Sequence, residues 1–575
     1  MKLNTNTLLL VLGITCLHVT MGYKSFKPLS YTQLPTSLSS VGNDVFGGLD
    51  LKASEGAAYE HVNSILYVIG ATSHLMHVID IIDPANPVRL FKHKFTQGEG
   101  VPQAIDICGG LIAVALSAQT DTNEGHVRFF KAYTRNSGAT DVVLDGYVTV
   151  GSHPKDIKFS PDCNSVVVSN EGLAGKDEAG AYVDPEGSVY IIRNENTGNP
   201  SVRLVDFLNY NVGQPNFDMR IRTPSLYIPK SVYSGDTTVA QDLEPEQVTI
   251  SRDGRTAWVT LRENNAIARI DLRIAEIPAI APLPRKNWQY NGVDVSDRDG
   301  GVHRRMYTGL QSVRQPGAIA SFEIGNKKFL ATADAGNIKQ YTAAQHGFTW
   351  SDNAIARTIV AQIEGTDLKA NANNDEYLGR LLISTLDGKN AFTGMYSHLE
   401  MFGGRGFSIW DSSNAGAPVF DTEGTLEEYM ENFYKPVFNT DYVRGTASYT
   451  SPEMNRDFAS EYQGAHVSGI DVANDNGTVL LVAGTWSTGT LFLYTVDTSS
   501  GLPIPQFQAI HRSGSTDEPW TDLYQKQTVG DLYISSVGII TRDKSPVNRP
   551  LVFVTSSGAG AVSLYEIVDE TPIVP

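Results

Sequence analysis

Cysteine is nearly absent from this chain: three occur in 575 residues, Cys16, Cys108 and Cys163. That is too few for a scaffold built from disulfides. A basic surplus is also missing. Lys and Arg number 45 against 63 Asp and Glu, for a net charge of −18, which argues against a nucleic-acid-binding face. The acids are spread along the chain, so it is not a polyacidic disordered tract. After the N-terminus no apolar run approaches membrane length. The C-terminal "LYEIVDETPIVP" has no hydrophobic tail of the kind a lipid-anchor signal needs. G-x-S-x-G, P-loop, H-E-x-x-H and C-x-x-C motifs are all missing. His153, His303, His398 and His466 are scattered singly, so no metallohydrolase spacing is visible.

What is present begins with a leader. Lys2, the run Leu8 to Leu12 with Ile14, and Thr20-Met21-Gly22 read as a secretory signal peptide over residues 1–22. The mature chain, 23–575, is expected to be one soluble extracellular domain without a transmembrane segment. It would keep only Cys108 and Cys163. Asn476-Gly477-Thr478 offers an N-glycosylation site at Asn476.

One layout recurs along the chain: a short apolar stretch, a polar turn and a second β-rich stretch. It starts at Asn63, Pro102, Pro154, Pro245, Pro316, Val467 and Ile534, and a divergent unit holds "FGGRGFSIWD" from Phe402. A third strand often follows, as in "GSVYIIRN" from Gly187 or "GAVSLYEI" from Gly560. Val, Ile, Tyr and Phe suit pleated strands, and the Asp-Gly, Gly-Asn and Asn-Gly turns permit positive φ. Units of roughly 40 residues or more with three or four strands predict an all-β fold, a β-propeller of seven or eight blades. Two stacked β-sandwiches are the alternative. "LSYTQLPTS" from Leu29 is expected to close the ring in the last blade. Residues 205–240, 281–312 and 422–465 read as long inserted loops, the last with helical spacing in "TLEEYMENFYKPVF".

Cys108 and Cys163 fall in equivalent turns of the second and third units. Such turns are expected to diverge from the axis, and a bridge needs Cα atoms within about 7 Å. An obligatory disulfide is therefore not expected.

"SPDCNSVVVSNEG", "DPEGSVYII", "DLEPEQVTIS", "ENNAIARIDL", "DVSDRDGG" and "KSPVNRPLVFVTSSGAGAVSLYEI" occur in this order. Together with the Phe402 unit they resemble the mesenchyme-specific cell surface glycoproteins of biomineralising animals. The related secreted bacterial proteins carry choice-of-anchor or alkaline-phosphatase-like labels. The resemblance covers roughly residues 40–567. It implies a matrix protein of calcified skeleton or shell.

The acids offer candidate sites. Hard cations such as Ca²⁺ take six to eight oxygens from carboxylates, carbonyls and water. Glu171, Asp177, Glu178, Asp184 and Glu186 share one Gly-containing loop. Strand pairing is expected to bring Glu171 back to Asp184 and Glu186, with Asn170 adding an amide oxygen. Glu244 and Glu246, with Glu263 and Asn264, form a second cluster on one propeller face, and Glu246 joins the expected metal set. Asp294, Asp297 and Asp299 before Gly300 suggest a calcium loop, although an Asp/Gly-rich turn explains them better. Arg405 between glycines is expected to pair with a blade carboxylate. Asp411-Ser412 faintly echoes a phosphatase nucleophile.

The resulting expectation is a secreted, acidic, non-enzymatic matrix protein. It would bind calcium, calcium carbonate mineral and other matrix components. A phosphoester hydrolase and an extracellular protein- or glycan-binding scaffold are the alternatives.

Overall fold

The strands of this chain bury both faces, so many read as continuous apolar runs. In Leu111–Ser117, Ile112, Val114 and Leu116 pack toward one neighbouring sheet while Ala113 and Ala115 pack toward the other. Val166 and Val168 likewise face one way and Val167 the opposite way. Period-two alternation divides each strand between two interfaces. Only a radial stack of sheets provides two interfaces for every sheet.

A computed structural model describes residues 23–193 and 200–570. The expected leader lies outside the described residues. Seven four-stranded antiparallel sheets span 56–94, 101–152, 154–206, 245–282, 319–421, 467–512 and 534–570, the last completed by Tyr23–Gln33. These are blades 1 to 7 of a β-propeller. Their innermost strands are Gly56–Glu60, Val101–Cys108, Pro154–Phe159, Pro245–Ile250, Ile319–Ile324, Val467–Asp475 and Ile534–Ile540. Each packs on the next, and the seventh packs on the first. A separate apolar cluster fills each of the seven blade interfaces. The axial channel encloses about 410 Å³ and is lined by inner strands of all seven blades.

Polar side chains stitch the inner strands together. Phe159 N donates to Asp106 Oδ2 at 2.7 Å, Val248 N to Asp156 Oδ2 at 2.8 Å, and Ile539 N to Asp471 Oδ2 at 2.8 Å. Ser321 N donates to Thr249 Oγ1 at 3.0 Å. In each case a side chain of one blade satisfies a backbone amide of the next, which would otherwise be costly to bury.

The blade count settles at seven because the Phe402 unit is not a blade. Phe407–Asp411 pairs with Lys327–Ala333 as the third strand of blade 5, and the chain between them is an insertion. Part of it joins the 283–318 segment in a five-stranded sheet outside the ring, where Leu310–Val313 and Leu399–Phe402 pair in parallel. The loop segments after Asn170, Asp206, Pro282, Ala333, Asp421 and Arg512 all follow a second or fourth strand. They therefore emerge on the same face of the ring. The expected helix forms as Thr425–Tyr434.

The expectation about the cysteines needs correcting. Cys108 and Cys163 are bonded, with Cα atoms 5.4 Å apart. Their turns join the innermost strand of each blade to the second strand. Blades converge on the axis there, so equivalent turns of neighbours meet. Asn476 lies exposed in the corresponding turn of blade 6, between Val467–Asp475 and Thr478–Thr485. The disulfide and the sequon thus share the face opposite the insertions.

His77 is fully buried in blade 1, and neither ring nitrogen has a hydrogen-bond partner. Burial, with the nearby Arg89 charge adding to it, pushes its pKa down to about 3. The folded state keeps it neutral while the unfolded chain protonates near pH 6.5. Its contribution to stability is therefore complete above about pH 6.5 and is lost as pH falls toward the folded value. His77→Leu should accordingly cut the acid-induced loss of stability by about 2 kcal/mol between roughly pH 7 and pH 5. Urea unfolding of both proteins at the two pH values measures it, and equal losses would contradict it.

Candidate functional site

On the insertion face, the ends of blades 3 and 4 bring four stretches together. They are His153 to Lys155, Asn170-Glu171, Glu244 to Glu246 and Arg262 to Asn264. Lys339, from the blade 5 insertion, joins them.

Lys155 Nζ lies 3.3 Å and His153 Nε2 3.4 Å from Glu171 Oε2. Arg262 Nη2 is 2.6 Å from Glu246 Oε1, and its Nε is 3.5 Å from Glu263 Oε1. Lys339 pairs with Glu244. Asn337 Nδ2 donates to Glu263 Oε1 at 2.5 Å. All four glutamates are buried. Four carboxylates and three lysine or arginine cations thus form one water-poor network.

Position in the network decides protonation. Burial would raise Glu171, but Lys155, then His153, Arg262 and Lys339, outweigh it and hold the carboxyl at about 2. Burial pushes Glu246 up to about 7, with Arg262 opposing and Glu263 adding to the rise. Glu244 is also raised, by burial against the pull of Lys339. The network holds one carboxylate firmly ionised beside others that favour the proton. Such a mixture can take up or release a proton near neutrality, and it keeps cationic side chains turned inward.

A second network adjoins it. Arg222, 7% exposed, reaches Asp352 Oδ2 and Asp387 Oδ2, each at 2.7 Å, and donates to Glu263 O at 3.0 Å. Arg285 links Asp387 at 2.7 Å to Glu400 at 2.5 Å.

The structure distributes the expected metal ligands. Glu171 and Glu246 belong to the same network and act on each other electrostatically. Asn170 donates to Ser188 O at 3.4 Å, and its Oδ1 is buried without a partner. Asp184 sits apart under Tyr182, whose hydroxyl donates to Oδ2 at 3.3 Å, and burial pushes its carboxyl up to about 7. Glu186 is exposed near Asp206. Among the described residues, these acids form no group of three converging within 4.8 Å; Asp294, Asp299 and Asp457 do. Asn264 is structural, donating to Arg222 O at 2.9 Å and Asp242 Oδ2 at 2.9 Å. Gly187, one residue after Glu186, must be glycine, because a Cβ there would meet Leu243 O at 1.9 Å.

Sequence reasoning missed Lys155, Arg262 and Lys339. Lys155 directly follows Pro154 and Arg262 directly precedes Glu263, so blade-equivalent numbering would have placed both on the carboxylate face. No signal marked Lys339. Ser412 lies in an outer turn of blade 5, its amide bonded to Lys328 O at 3.0 Å. His398 engages Glu400, and His466 lies over Trp486.

Residues 55–499 match the choice-of-anchor I domain. The chain is 23% identical over 356 residues to a mesenchyme-specific cell surface glycoprotein of Strongylocentrotus purpuratus, covering 58% of this chain and 42% of that one. It is 26% identical over 195 residues to Gigasin-3a of Magallana gigas, covering 34% of this chain and 66% of that one. The matched region is thus under half of the sea-urchin protein and just under two thirds of Gigasin-3a. Among solved structures, Kuenenia stuttgartiensis hydrazine synthase aligns over 90% of this chain and 96% of that one, at 12% identity and a TM-score of 0.42. The Myceliophteria thermophila Cps50 (Swd1) β-propeller domain aligns over 95% and 100%, at 6% identity and a TM-score of 0.40. At such scores they add nothing to what the strand pairing already defines.

Proposed function

The chain belongs to the choice-of-anchor I domain family, and on that premise we propose that it is an extracellular, non-enzymatic matrix protein of calcified tissue. It binds calcium and the surface of a calcium mineral. The location is supported by the relative named a cell surface glycoprotein. N-glycosylation at the exposed Asn476 belongs to the same reading.

The observation that carries the proposal is the acidic surplus, 63 acids against 45 lysines and arginines, and where it lies. Inside the insertion face, lysine and arginine neutralise most of the carboxylates. Outside these pairs, acids such as Glu178 and Glu186 stand exposed and add to a negative exterior. An acidic exterior on a closed ring attracts a cationic lattice surface through long-range fields.

Purified protein should adsorb to calcium carbonate powder, and adsorption should fall as salt rises, because exposed charges are screened. Adsorption no greater than that of a neutral control protein would sink the proposal. So would phosphomonoester turnover in the presence of Ca²⁺, Mg²⁺ or Zn²⁺ that Ser412→Ala abolishes, which would favour the hydrolase alternative.

A further inference from the structure

Two insertions on the roofed face meet at a point that neither blade architecture nor the Glu171 network explains. The segment between blades 4 and 5 supplies Asp294 and Asp299, and the segment between blades 5 and 6 supplies Asp457. One carboxylate oxygen from each lies within 4.8 Å of the others. Asp294 is fully buried, Asp457 is 5% exposed, and the Asp299 side chain is 1% exposed.

The surrounding charges do not balance. Arg305 Nη1 pairs with Asp299 Oδ2 at 2.6 Å. Arg405 Nη1 pairs with Glu427 Oε1 at 3.1 Å, and Glu427 Oε2 accepts from Asp294 N at 3.0 Å. Four carboxylates therefore face two guanidiniums, and with all four ionised the cluster is two positive charges short.

Polar atoms around the point also lack partners. Tyr307 is 3% exposed. Its hydroxyl lies within the fields of Asp294 and Asp299 and, among the described residues, has no partner besides the adjacent Arg305 guanidinium. Asn439 is fully buried; its Nδ2 donates to Ser460 Oγ at 2.9 Å, and Ser460 Oγ donates to Asp457 Oδ1 at 2.5 Å. Asn439 Oδ1 has no partner. A buried polar atom without a partner costs free energy, unless water or a ligand completes it.

We propose that Asp294, Asp299 and Asp457 bind one divalent cation, calcium, which ties the two insertions together over the end of the propeller. All the available donors are oxygens, which selects a hard ion. The missing charge matches a divalent one. Tyr307 and Asn439 are placed to hydrogen-bond the waters that complete its shell. The choice of calcium rests on the matrix reading above, whereas the existence of the site does not.

The test is thermal unfolding and calorimetric titration of the full chain, stripped with chelator and then titrated with calcium chloride. Wild type is expected to bind one calcium at this site and to melt higher when loaded. Asp457→Asn should melt no lower than wild type in chelator, since the amide keeps the shape of the side chain and adds no charge to the acidic cluster. Its calcium affinity should fall about tenfold or more, because ligand charge tunes calcium sites over orders of magnitude. Equal calcium gains in the two proteins, or no gain in wild type, would overturn the site. Terbium(III) emission sensitised by Tyr307 provides a second measurement on unmutated protein, and displacement by calcium is the supporting result. Powder adsorption of the same variant separates the two proposals. If only wild type shows the calcium gain but neither protein adsorbs, the site stands and the mineral reading falls.

Discussion

Arg405→Met should destabilise the fold by about 3–5 kcal/mol, the usual consequence of stranding a buried charge by removing its partner. Arg405 is 1% exposed, and its guanidinium donates to Glu427 at 3.1 Å, to Ser460 O at 2.6 Å and to Asp294 O. It joins three insertions in one residue. It also has a left-handed backbone, φ 51°, where methionine is no worse tolerated than arginine, so the comparison isolates the side chain. Glu427 is equally buried and would be left without its cation. Adding Glu427→Gln to Arg405→Met should therefore recover much of the loss. Denaturant unfolding followed by tryptophan fluorescence decides it. A single variant within about 1 kcal/mol of wild type would show that the pair contributes little.

Removing the Cys108–Cys163 bridge should have an effect of similar size. The cysteines are separated by 55 residues. In the chain-entropy description, opening such a loop costs about 4 kcal/mol by enlarging the unfolded ensemble. Cys108→Ser with Cys163→Ser should show this loss in equilibrium unfolding, and non-reducing peptide mapping of wild type should show the two turns linked. A bridge-free variant as stable as wild type would contradict the estimate. Free thiols in native protein would contradict the bond itself.

The propeller was legible because each blade repeats the same solution to the same problem. Strands such as Leu111–Ser117 and Ser165–Asn170 must bury both faces, so their residues announce themselves wherever they stand. Phe407–Asp411 announced itself too, but its partner lies upstream of a long insertion. Periodicity reports that a strand exists without reporting its neighbour, and that is how a third strand passed for a separate unit. The cysteines were misjudged for a related reason. Equivalent turns were recognised, but whether they lie near the axis depends on strand order within the blade. The carboxylates of the roofed face were visible as residue types. Their ion pairs with Lys155, Arg262 and Lys339 arise from chain crossings between segments far apart in sequence. Asp457, in "NRDFASEYQ", has no motif around it. Only the folded insertions bring it to Asp294 and Asp299.

The last blade has a consequence for how the molecule is made. Tyr23–Gln33 completes blade 7 by pairing with Ala561–Glu570, so that Lys24 reaches Asp569 across 545 residues. At ribosomal speeds of roughly 5–20 residues per second, the strand synthesised first waits on the order of half a minute or longer before its partner exists. Throughout that interval it is an unpaired edge, open to any other chain with a free edge. Six blades can pack while it waits, but the circle cannot shut. Yield during production should therefore respond to whatever shelters the eleven residues of that strand, and to the rate of translation, more sharply than the stability of the finished ring would suggest.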